Sequence, residues 1–363
     1  MSSQLDILAL EPFYGGVRRT MLETLIRCSR HRWTLLKLPP RRIERRLSAA
    51  AHWFAEQLSR HWIGRLDVLF TSEAMNLADL VRHLPNLAHK PSVVYFHNNQ
   101  LPDPDRPLSA APHELTNMST AQAATELWFN SEFHQQLFSY RASALVDRHR
   151  ELSSRNPMAN IIAKSRVMPP PIDLHPAVEM SQADVDRRRR SIFVDTRDTD
   201  MDLLNDGLSM LSERGERFEL FTVGPVDDFS ESFARTTISE SDDVAQTAGM
   251  SRSSVFLSTR RFAPVDHYAV RALAAKCWPV VPEDGVYVEM IPTRLHECCL
   301  YDGTPDGLAS RIQDAWHLYD ANDAKSDFQT AVHNFDAMIA CKAMDERLSE
   351  LAARGVFAKQ FSP

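Results

Sequence analysis

The sequence predicts an α/β protein made of two domains, each built on a mainly parallel sheet. Short apolar runs alternate with segments of helical period along the chain, which is typical of strands connected by helices. The alternation stops at a proline-rich segment around residues 169–171 and then resumes. A chain of 363 residues also favours two domains, at roughly 150 residues each.

The first half contains five predicted strands and two clear helices. Apolar runs bounded by turn residues predict buried parallel strands; they cover residues 5–11, 32–38, 67–72, 92–97 and 126–131. A helix is predicted from about residue 18 to 28. A second follows from 41 to 59, where apolar side chains recur at helical spacing up to Leu58.

The second half repeats this pattern after a change in composition. Three consecutive prolines at 169–171 cannot lie inside a helix or central strand, so residues 156–190 are interpreted as the connection between domains. Further strands are predicted at residues 191–195, 218–224, 253–258 and 277–282, followed by a helical tail over about 306–354. We therefore place an N-terminal domain at 1–175 and a C-terminal domain with the tail at 176–363.

Composition excludes several classes of protein. With 44% hydrophobic and 25% charged residues the chain is not fully disordered, and a net charge of −7 argues against an all-over phosphate-binding surface. Five scattered cysteines do not suggest a disulfide framework. Asp6 and Glu11 interrupt the first apolar run, which indicates a strand and not a signal peptide. We expect a cytoplasmic protein with no membrane span.

Polar residues follow three of the predicted strands. Ligands of parallel sheets bind beyond the carboxyl ends of the strands, which makes these residues candidates for a site between the domains. They are Glu11, Tyr14, Gly15 and Gly16 at the end of the first strand, His97, Asn98, Asn99 and Gln100 after the fourth, and Asn130 with Ser131 at the fifth. A tight turn, a solvated loop and a helix N-cap are the respective structural alternatives.

A dense basic cluster lies at the start of the second helix. It consists of Arg41, Arg42, Arg45 and Arg46. Positive charge opposes the helix dipole at this end, which favours a functional reason such as contact with nucleic-acid phosphates. A solvated helix face is the alternative interpretation.

Seven sequence segments together resemble the tRNA-queuosine alpha-mannosyltransferase family. They are EPFYGG at 11–16, LPPRRIERRLSAAAHWFAEQL at 38–58, TSEAMNL at 71–77, YFHNNQL at 95–101, WFNSEFH at 128–134, KSRVMPPPIDL at 164–174 and VVPEDGVYVEMIP at 280–292. The resemblance implies a GT-B glycosyltransferase, with two Rossmann-like domains facing a cleft. It also implies transfer of mannose from GDP-mannose to queuosine in tRNA, by a retaining reaction that needs no metal.

The resemblance assigns roles to the candidate residues. It implies no cofactor besides the nucleotide-sugar substrate, and no obligate protein partner is evident. The expected catalytic residues are His97, Asn98 and Asn130; the donor-binding residues are Gly15, Gly16, Arg197, Ser258, Thr259, Arg260, Asp266 and Arg271; the acceptor or RNA-binding residues are Tyr14, Asn99, Gln100, Arg42, Arg45 and Arg46.

The chain departs from the family pattern at several of these places. Ala263 and Arg271 stand where related enzymes carry two glutamates for the sugar and the ribose. Asn98 replaces a glutamate, and Val17 and Arg18 replace Ser-His after the glycines. An arginine cannot accept hydrogen bonds from ribose hydroxyls. A non-catalytic GT-B paralogue that binds RNA or a nucleotide without transferring sugar is therefore the alternative hypothesis.

Overall fold

The structure is a computed structural model. It describes residues 4–61, 64–104, 114–149, 157–182, 188–225, 229, 233–319 and 325–360. The chain divides into two compact units. Unit 1 comprises residues 1–171 and 337–363, and unit 2 comprises residues 172–336. Part of the predicted interdomain connection, at 156 and 183–187, lies outside the described residues.

Unit 1 contains a six-stranded parallel sheet of order β2-β1-β3-β4-β5-β6. Its strands are β1 (Asp6–Glu11), β2 (Arg32–Lys37), β3 (Val68–Ser72), β4 (Ser92–Phe96), β5 (Glu126–Phe129) and β6 (Ser165–Val167). Its helices are α1 (Gly16–Cys28), α2 (Ile43–His61), α3 (Leu77–His83), α4 (Glu114–Ala123), α5 (Glu132–Arg148) and α6 (Met158–Ala163), with a 3₁₀ turn at Pro85–His89. The five strands predicted here are confirmed; β6 was not predicted.

Strands β1, β3, β4 and β5 of the unit 1 sheet are buried on both faces, whereas the edge strand β2 is not. Successive strand residues point to opposite faces, so Leu69 and Phe129 enter one hydrophobic cluster while Phe70 and Trp128 enter the other. Phe54 of α2 completes the first cluster. Strands covered on both faces need continuous apolar runs, which is why these segments were recognisable in the sequence.

Unit 2 contains a second parallel sheet of six strands, of order β12-β11-β10-β7-β8-β9. The strands are β7 (Arg188–Asp195), β8 (Glu219–Val223), β9 (Ala234–Ile238), β10 (Ser253–Leu257), β11 (Trp278–Pro282) and β12 (Leu300–Tyr301). The helices are α7 (His175–Gln182), α8 (Met201–Glu213), α9 (Asp243–Arg252), α10 (His267–Ala274), α11 (Val286–Met290), α12 (His296–Cys299), α13 (Pro305–Tyr319) and α14 (Lys325–Ala331), with 3₁₀ turns at Thr293–Leu295 and His333–Phe335. The four strands predicted here are confirmed.

The last helix, α15 (Ala337–Gln360), does not stay with the second unit. Its residues Cys341, Met344 and Leu348 join the hydrophobic cluster of unit 1 that covers β1, β3, β4 and β5. The prediction that the whole tail belongs to the C-terminal domain is therefore wrong for residues 337–363. The units also separate at Pro171 and Ile172, four residues before the predicted boundary at 175. The sequence of α15 does not indicate which domain its apolar face packs against, and this is decided by the three-dimensional packing.

Each sheet has one point where the strand order reverses. In unit 1 the chain leaves β1 for β2 on one side and later returns to β3 on the other. In unit 2 it leaves β7 for β8 and later returns to β10. Ligands of such sheets bind outside the carboxyl ends of the strands at this switch point. The candidate sites are therefore next to Glu11 and Ser72 in unit 1, and next to Asp195 and Leu257 in unit 2.

Candidate functional site

Two buried carboxyl groups and one guanidinium occupy the switch point of unit 1. Glu11 ends β1 and Glu73 follows β3, and each is 1% exposed. Arg18, from the first turns of α1, forms an ion pair with Glu73. Glu11 Oε1 accepts hydrogen bonds from the Phe13 amide at 2.7 Å and the Ser72 hydroxyl at 3.0 Å. These contacts compensate much of the cost of burying charge at the end of the sheet.

Glu73 also fixes the segment that contains the predicted catalytic histidine. Its carboxylate accepts the backbone N–H groups of His97 at 3.2 Å and Asn98 at 3.3 Å. The Asn117 amide donates to the backbone carbonyl of Glu73 at 3.1 Å, and its oxygen accepts the Gln100 N–H at 2.6 Å. The 97–100 segment is therefore held by buried side chains and is not simply a solvated loop.

Glu11 gains or loses its proton near neutral pH. Burial raises the pKa of its carboxyl from 4.5 to about 7, and the nearby negative charge of Glu73 acts in the same direction. The positive charge of Arg18 and the hydrogen bond from the Phe13 amide oppose this increase. A carboxyl with a pKa near the working pH is suited to proton transfer.

A second network connects the ends of β4 and β5 through a buried histidine. The Asn130 amide donates to the His97 carbonyl at 3.1 Å, and its oxygen lies 2.9 Å from His134 Nδ1. The other ring nitrogen of His134 lies 3.4 Å from the Asn99 amide nitrogen. Burial lowers the pKa of His134 to about 3, so the ring is neutral at pH 7. It then carries its proton on Nδ1, because Nδ1 faces an acceptor and Nε2 faces a donor.

The structure therefore brings His97, Asn99 and Asn130 together, and their catalytic and acceptor-binding roles stay predictions. Asn98 is exposed beside them, while His97 and Asn99 are each 7% exposed. The helix-cap alternative also holds, but for the neighbouring residue: Ser131 caps α5 by accepting the His134 N–H at 3.0 Å. Asn130 is thus available for the link to His97.

The turn after β1 is tightly packed on one side. A Cβ on Gly15 would lie 2.5 Å from the Pro40 ring, and Gly16 has a left-handed φ of 52°. Tyr14 donates its hydroxyl to Glu23 at 2.7 Å, and the Lys37 ammonium lies 4.1 Å from the centre of its ring. The two glycines are therefore required by local packing and backbone conformation, in addition to any role in binding.

The predicted basic cluster lies where the chain enters α2. Arg41, Arg42 and Arg45 are exposed, whereas Arg46 is half-buried and donates to the Pro39 carbonyl at 3.2 Å. Arg42 has a left-handed φ of 51°. Because these guanidinium groups are exposed, a polyanion can contact them without any free-energy cost of uncovering buried charge.

Four of the predicted donor residues of unit 2 contact one another at the second switch point: Arg197, Ser258, Arg260 and Asp266. Asp195, at the end of β7, is 6% exposed and accepts two hydrogen bonds from the Arg197 guanidinium, at 2.8 and 3.2 Å. The Arg197 guanidinium also lies 5.0 Å from the ring centre of Tyr268 and 3.4 Å from the Glu240 carboxylate. Burial nevertheless raises the pKa of Asp195.

Arg260 reaches from the segment after β10 to the segment after β7. Its guanidinium donates to the Arg197 carbonyl at 3.2 Å and to the Asp198 carboxylate at 3.3 Å. Asp195 lies 3.8 Å away and Asp266 3.9 Å away. The positive charges of Arg197 and Arg260 are thus balanced by carboxylates of the same unit.

Asp266 performs a structural role in addition to any contact with a donor. It caps α10 by accepting the N–H groups of Tyr268 and Ala269 at 2.9 and 3.0 Å. Its other oxygen accepts the Tyr287 hydroxyl at 2.7 Å, and that hydroxyl lies 2.8 Å from the Ser258 hydroxyl. Asp266 is 2% exposed, so these bonds are made away from water.

The positions of the two missing glutamates are also defined. Ala263 is buried beneath Gly285, and its carbonyl accepts the Val286 N–H at 3.0 Å. Arg271 donates to Thr247 at 2.9 Å and to Gln246 at 3.2 Å, both on α9. Neither position offers a carboxylate. Thr259, the last predicted donor residue, is buried and donates to the Asp200 carbonyl at 3.0 Å.

The described ranges contain neither a metal-binding group nor a membrane-spanning helix. Within these ranges, no three or more His, Cys, Asp or Glu side chains come together as a metal-binding group. In the same ranges, no helix combines the length and the apolar character needed to cross a lipid bilayer.

The first domain matches a known protein family. Residues 6–172 match the family model described as tRNA-queuosine alpha-mannosyltransferase N-terminal. A tRNA-queuosine alpha-mannosyltransferase of Drosophila melanogaster is 26% identical over 310 residues, 79% of this chain and 81% of that protein. The resemblance inferred from the motifs is confirmed.

Solved structures extend the likeness over both units. The catalytic domain of starch synthase IV from Arabidopsis thaliana has a TM-score of 0.67 and 13% identity, covering 98% of this chain and 100% of that one. Sucrose-phosphate synthase from Thermosynechococcus elongatus has a TM-score of 0.67 and 14% identity, covering 97% and 100%. A glycosyltransferase from Rickettsia africae has a TM-score of 0.65 and 12% identity, covering 96% and 99%. These likenesses confirm the GT-B fold of two Rossmann-like domains, and the mannosyltransferase-family match places the chain among glycosyltransferases.

Several residues of these networks were not among the predicted site residues. Glu73 and His134 lie in motifs that resemble the mannosyltransferase family, and Arg18 follows one of them as a departure from its pattern, but none of the three was assigned a role. Position relative to the strands is the signal that identifies Glu73, because it follows the last residue of β3 directly. His134 has no such signal, since its contacts depend on how α5 packs against the end of β4.

Proposed function

We propose that this protein transfers mannose from GDP-mannose to queuosine in tRNA, with retention of configuration and without a metal ion. The family match over residues 6–172 and the Drosophila melanogaster relative support this assignment. The partners would be a nucleotide sugar and a tRNA, and the reaction would take place in the cytoplasm.

The observation that carries the proposal is the buried network around His97. Glu73 holds the backbone of His97 and Asn98, and Asn130 holds the His97 carbonyl. Hydrogen bonds of this kind keep the backbone of the segment and the side chains that hold it in one arrangement. The exposed Asn98 and the half-buried Gln100 would then present amide groups to the hydroxyls of the acceptor.

In the proposed reaction an acceptor hydroxyl attacks the sugar while the diphosphate leaves. The leaving phosphate oxygen accepts the proton of the attacking hydroxyl. Glu11, with a pKa of about 7, is the group of the unit 1 site that is suited to proton exchange near neutral pH. Arg197 and Arg260 are the candidate groups for the charge that develops on the diphosphate. Both already balance carboxylates, so we expect weak stabilisation of the leaving group.

The test is a transfer assay with purified protein, GDP-mannose and queuosine-containing tRNA, followed by mass spectrometry of the released nucleosides. Ordinary enzymes turn over about 1 to 10³ times per second. Loss of one group that stabilises developing charge costs about 10²-fold or more. We therefore expect mannosylated queuosine to form much more slowly than once per second. Formation of a different glycoside would contradict the proposed donor.

The non-catalytic alternative is favoured by one specific observation. Ala263 and Arg271 provide no carboxylate for the donor, and Arg271 is bonded to α9. A protein of this kind would bind tRNA without forming product. Its Arg45→Ala/Arg46→Ala variant would bind tRNA more weakly and with a shallower salt dependence. Each lost phosphate contact reduces the slope of log K against log salt concentration by about 0.9. The matched control is Arg65→Ala/Arg82→Ala, which removes two exposed arginines elsewhere in unit 1.

A further inference from the structure

An ion pair spans the switch point of unit 2. Arg260 comes from the segment after β10, and Asp198 comes from the segment after β7. Their charged groups meet at 3.3 Å, directly beyond the carboxyl ends of the two strands between which the chain order reverses. Ligands of parallel sheets bind at this place. An acidic side chain of the protein itself therefore holds the guanidinium that an anionic ligand would need.

The carboxylates around Arg260 differ in how firmly they are held. Asp195 is buried and doubly hydrogen-bonded to Arg197, and Asp266 is buried as the cap of α10. The side chain of Asp198 is instead 89% exposed. Exposed ion pairs are weak and are exchanged readily. Asp198 is thus the carboxylate that can leave Arg260 without breaking the buried network.

We propose that Asp198 occupies the anion position of Arg260 and that the diphosphate of a nucleotide ligand displaces it. This proposal rests on the proposed function, which supplies the class of ligand. Guanidinium groups bind phosphate oxygens with two parallel hydrogen bonds. A diphosphate, with more negative charge than one carboxylate, competes successfully for Arg260. Asp198 then acts as an internal competitor that weakens nucleotide binding in the free protein.

The backbone at Asp198 defines a suitable substitution. Its φ of 53° lies in the left-handed region, where Asn and Asp are better tolerated than most residues. Asp198→Asn removes the negative charge while keeping both the size and the backbone preference of the side chain. Asp306→Asn is the matched control, because Asp306 is also exposed in unit 2 and pairs with a different arginine, Arg214, at 2.6 Å.

The experiment is calorimetric titration of the full-length chain with GDP. We expect Asp198→Asn to bind GDP about three- to fivefold more tightly than wild type, in proportion to the loss of a weak competing ion pair. Arg260→Gln should bind GDP more weakly than wild type in the presence or absence of the Asp198 substitution. Guanosine, which lacks phosphate, should show no gain with Asp198→Asn.

Three results would overturn the proposal. One is equal GDP affinity in wild type and Asp198→Asn, including the case in which neither binds. Another is an equal gain in Asp306→Asn, which would indicate a general effect of net charge. The third is an equal gain for guanosine. Mannose transfer is measured separately, so tighter GDP binding without transfer would contradict the proposed function while leaving this proposal intact.

Discussion

The pKa of Glu11 is raised because of the position of this residue in the fold. It is the last residue of β1, so its carboxyl is buried beyond the end of the sheet with Ser72, Glu73 and Arg18 around it. Water cannot solvate the charged form there, and the one guanidinium nearby is paired with Glu73. Ionisation of Glu11 therefore lowers the free energy of unfolding of unit 1.

Glu11→Gln should make the protein more stable at alkaline pH. Below pH 4.5 both folded and unfolded chains hold the proton; as the pH rises to about 7 only the folded chain retains it, so stability is lost through this window. The full loss is about 3 kcal/mol, from 1.36 kcal/mol per pKa unit. Relative to wild type, the variant should gain about that amount between pH 4.5 and 8, since one amide oxygen can keep both bonds now made by Oε1.

Urea unfolding of both proteins at several pH values measures this difference. Glu346→Gln, which removes an exposed carboxylate from α15, serves as the control and should follow the wild-type pH dependence. A constant difference between wild type and Glu11→Gln across the pH range would show that Glu11 ionises normally.

The segment between β11 and α11 combines a left-handed glycine with an aspartate that holds a neighbouring segment. Gly285 has a left-handed φ of 61°, and a Cβ there would lie 2.9 Å from the Ala263 nitrogen. Asp284, immediately before it, holds the Arg261 guanidinium at 2.9 Å and the Phe262 N–H at 2.8 Å. The connection thus supports the segment from which Arg260 projects.

Gly285→Ala should destabilise unit 2 by about 2–4 kcal/mol, because it adds a backbone clash to the roughly 1–2 kcal/mol cost of a left-handed residue. Gly303→Ala separates the two effects: its φ is 80°, but a Cβ there meets no atom within 4 Å. Denaturant unfolding should show a smaller loss for Gly303→Ala. Equal losses would mean that the contact with Ala263 relaxes at no cost.

At the scale of the molecule, the return of the chain to unit 1 is fixed by both apolar and charged contacts. Arg347 of α15 pairs with the 2% exposed Glu126 at 2.8 Å, and Asp345 accepts the Ser29 hydroxyl at 2.6 Å. Removing one partner of a buried ion pair leaves the other charge without compensation, which is costly. The tail is therefore part of the folding unit that carries His97.

Arg347→Ala should reduce the stability of unit 1 by about 2–4 kcal/mol. The loss is somewhat smaller than it would be if Glu126 had no other partner, because Arg166 remains 3.5 Å from the Glu126 carboxylate. Hydrogen exchange measured by mass spectrometry should show faster exchange in β1 and β5 and unchanged exchange in β7 and β10. Glu350→Gln, which removes an exposed partner of the same arginine, should have little effect. Equal acceleration in both units would contradict the division of the chain.

The sequence by itself determined the two parallel sheets, because strands buried on both faces need continuous apolar runs that are visible without any tertiary information. It also determined the candidate positions His97, Asn99 and Asn130, since polar residues that follow such strands must emerge at one edge of the sheet. The exposed edge strand β9, with its polar sequence ARTTI, gave no such signal and was not predicted.

Only the tertiary structure decided which charges meet. Arg18 and Glu73 are 55 residues apart, Arg260 and Asp198 are 62 apart, and Arg347 and Glu126 are 221 apart. Periodicity reports which face of an element is buried, but it carries no information about which partner a charged group reaches. The pKa of Glu11, the neutral state of His134, the ion pair at the second switch point and the return of α15 to unit 1 all depend on such distant contacts.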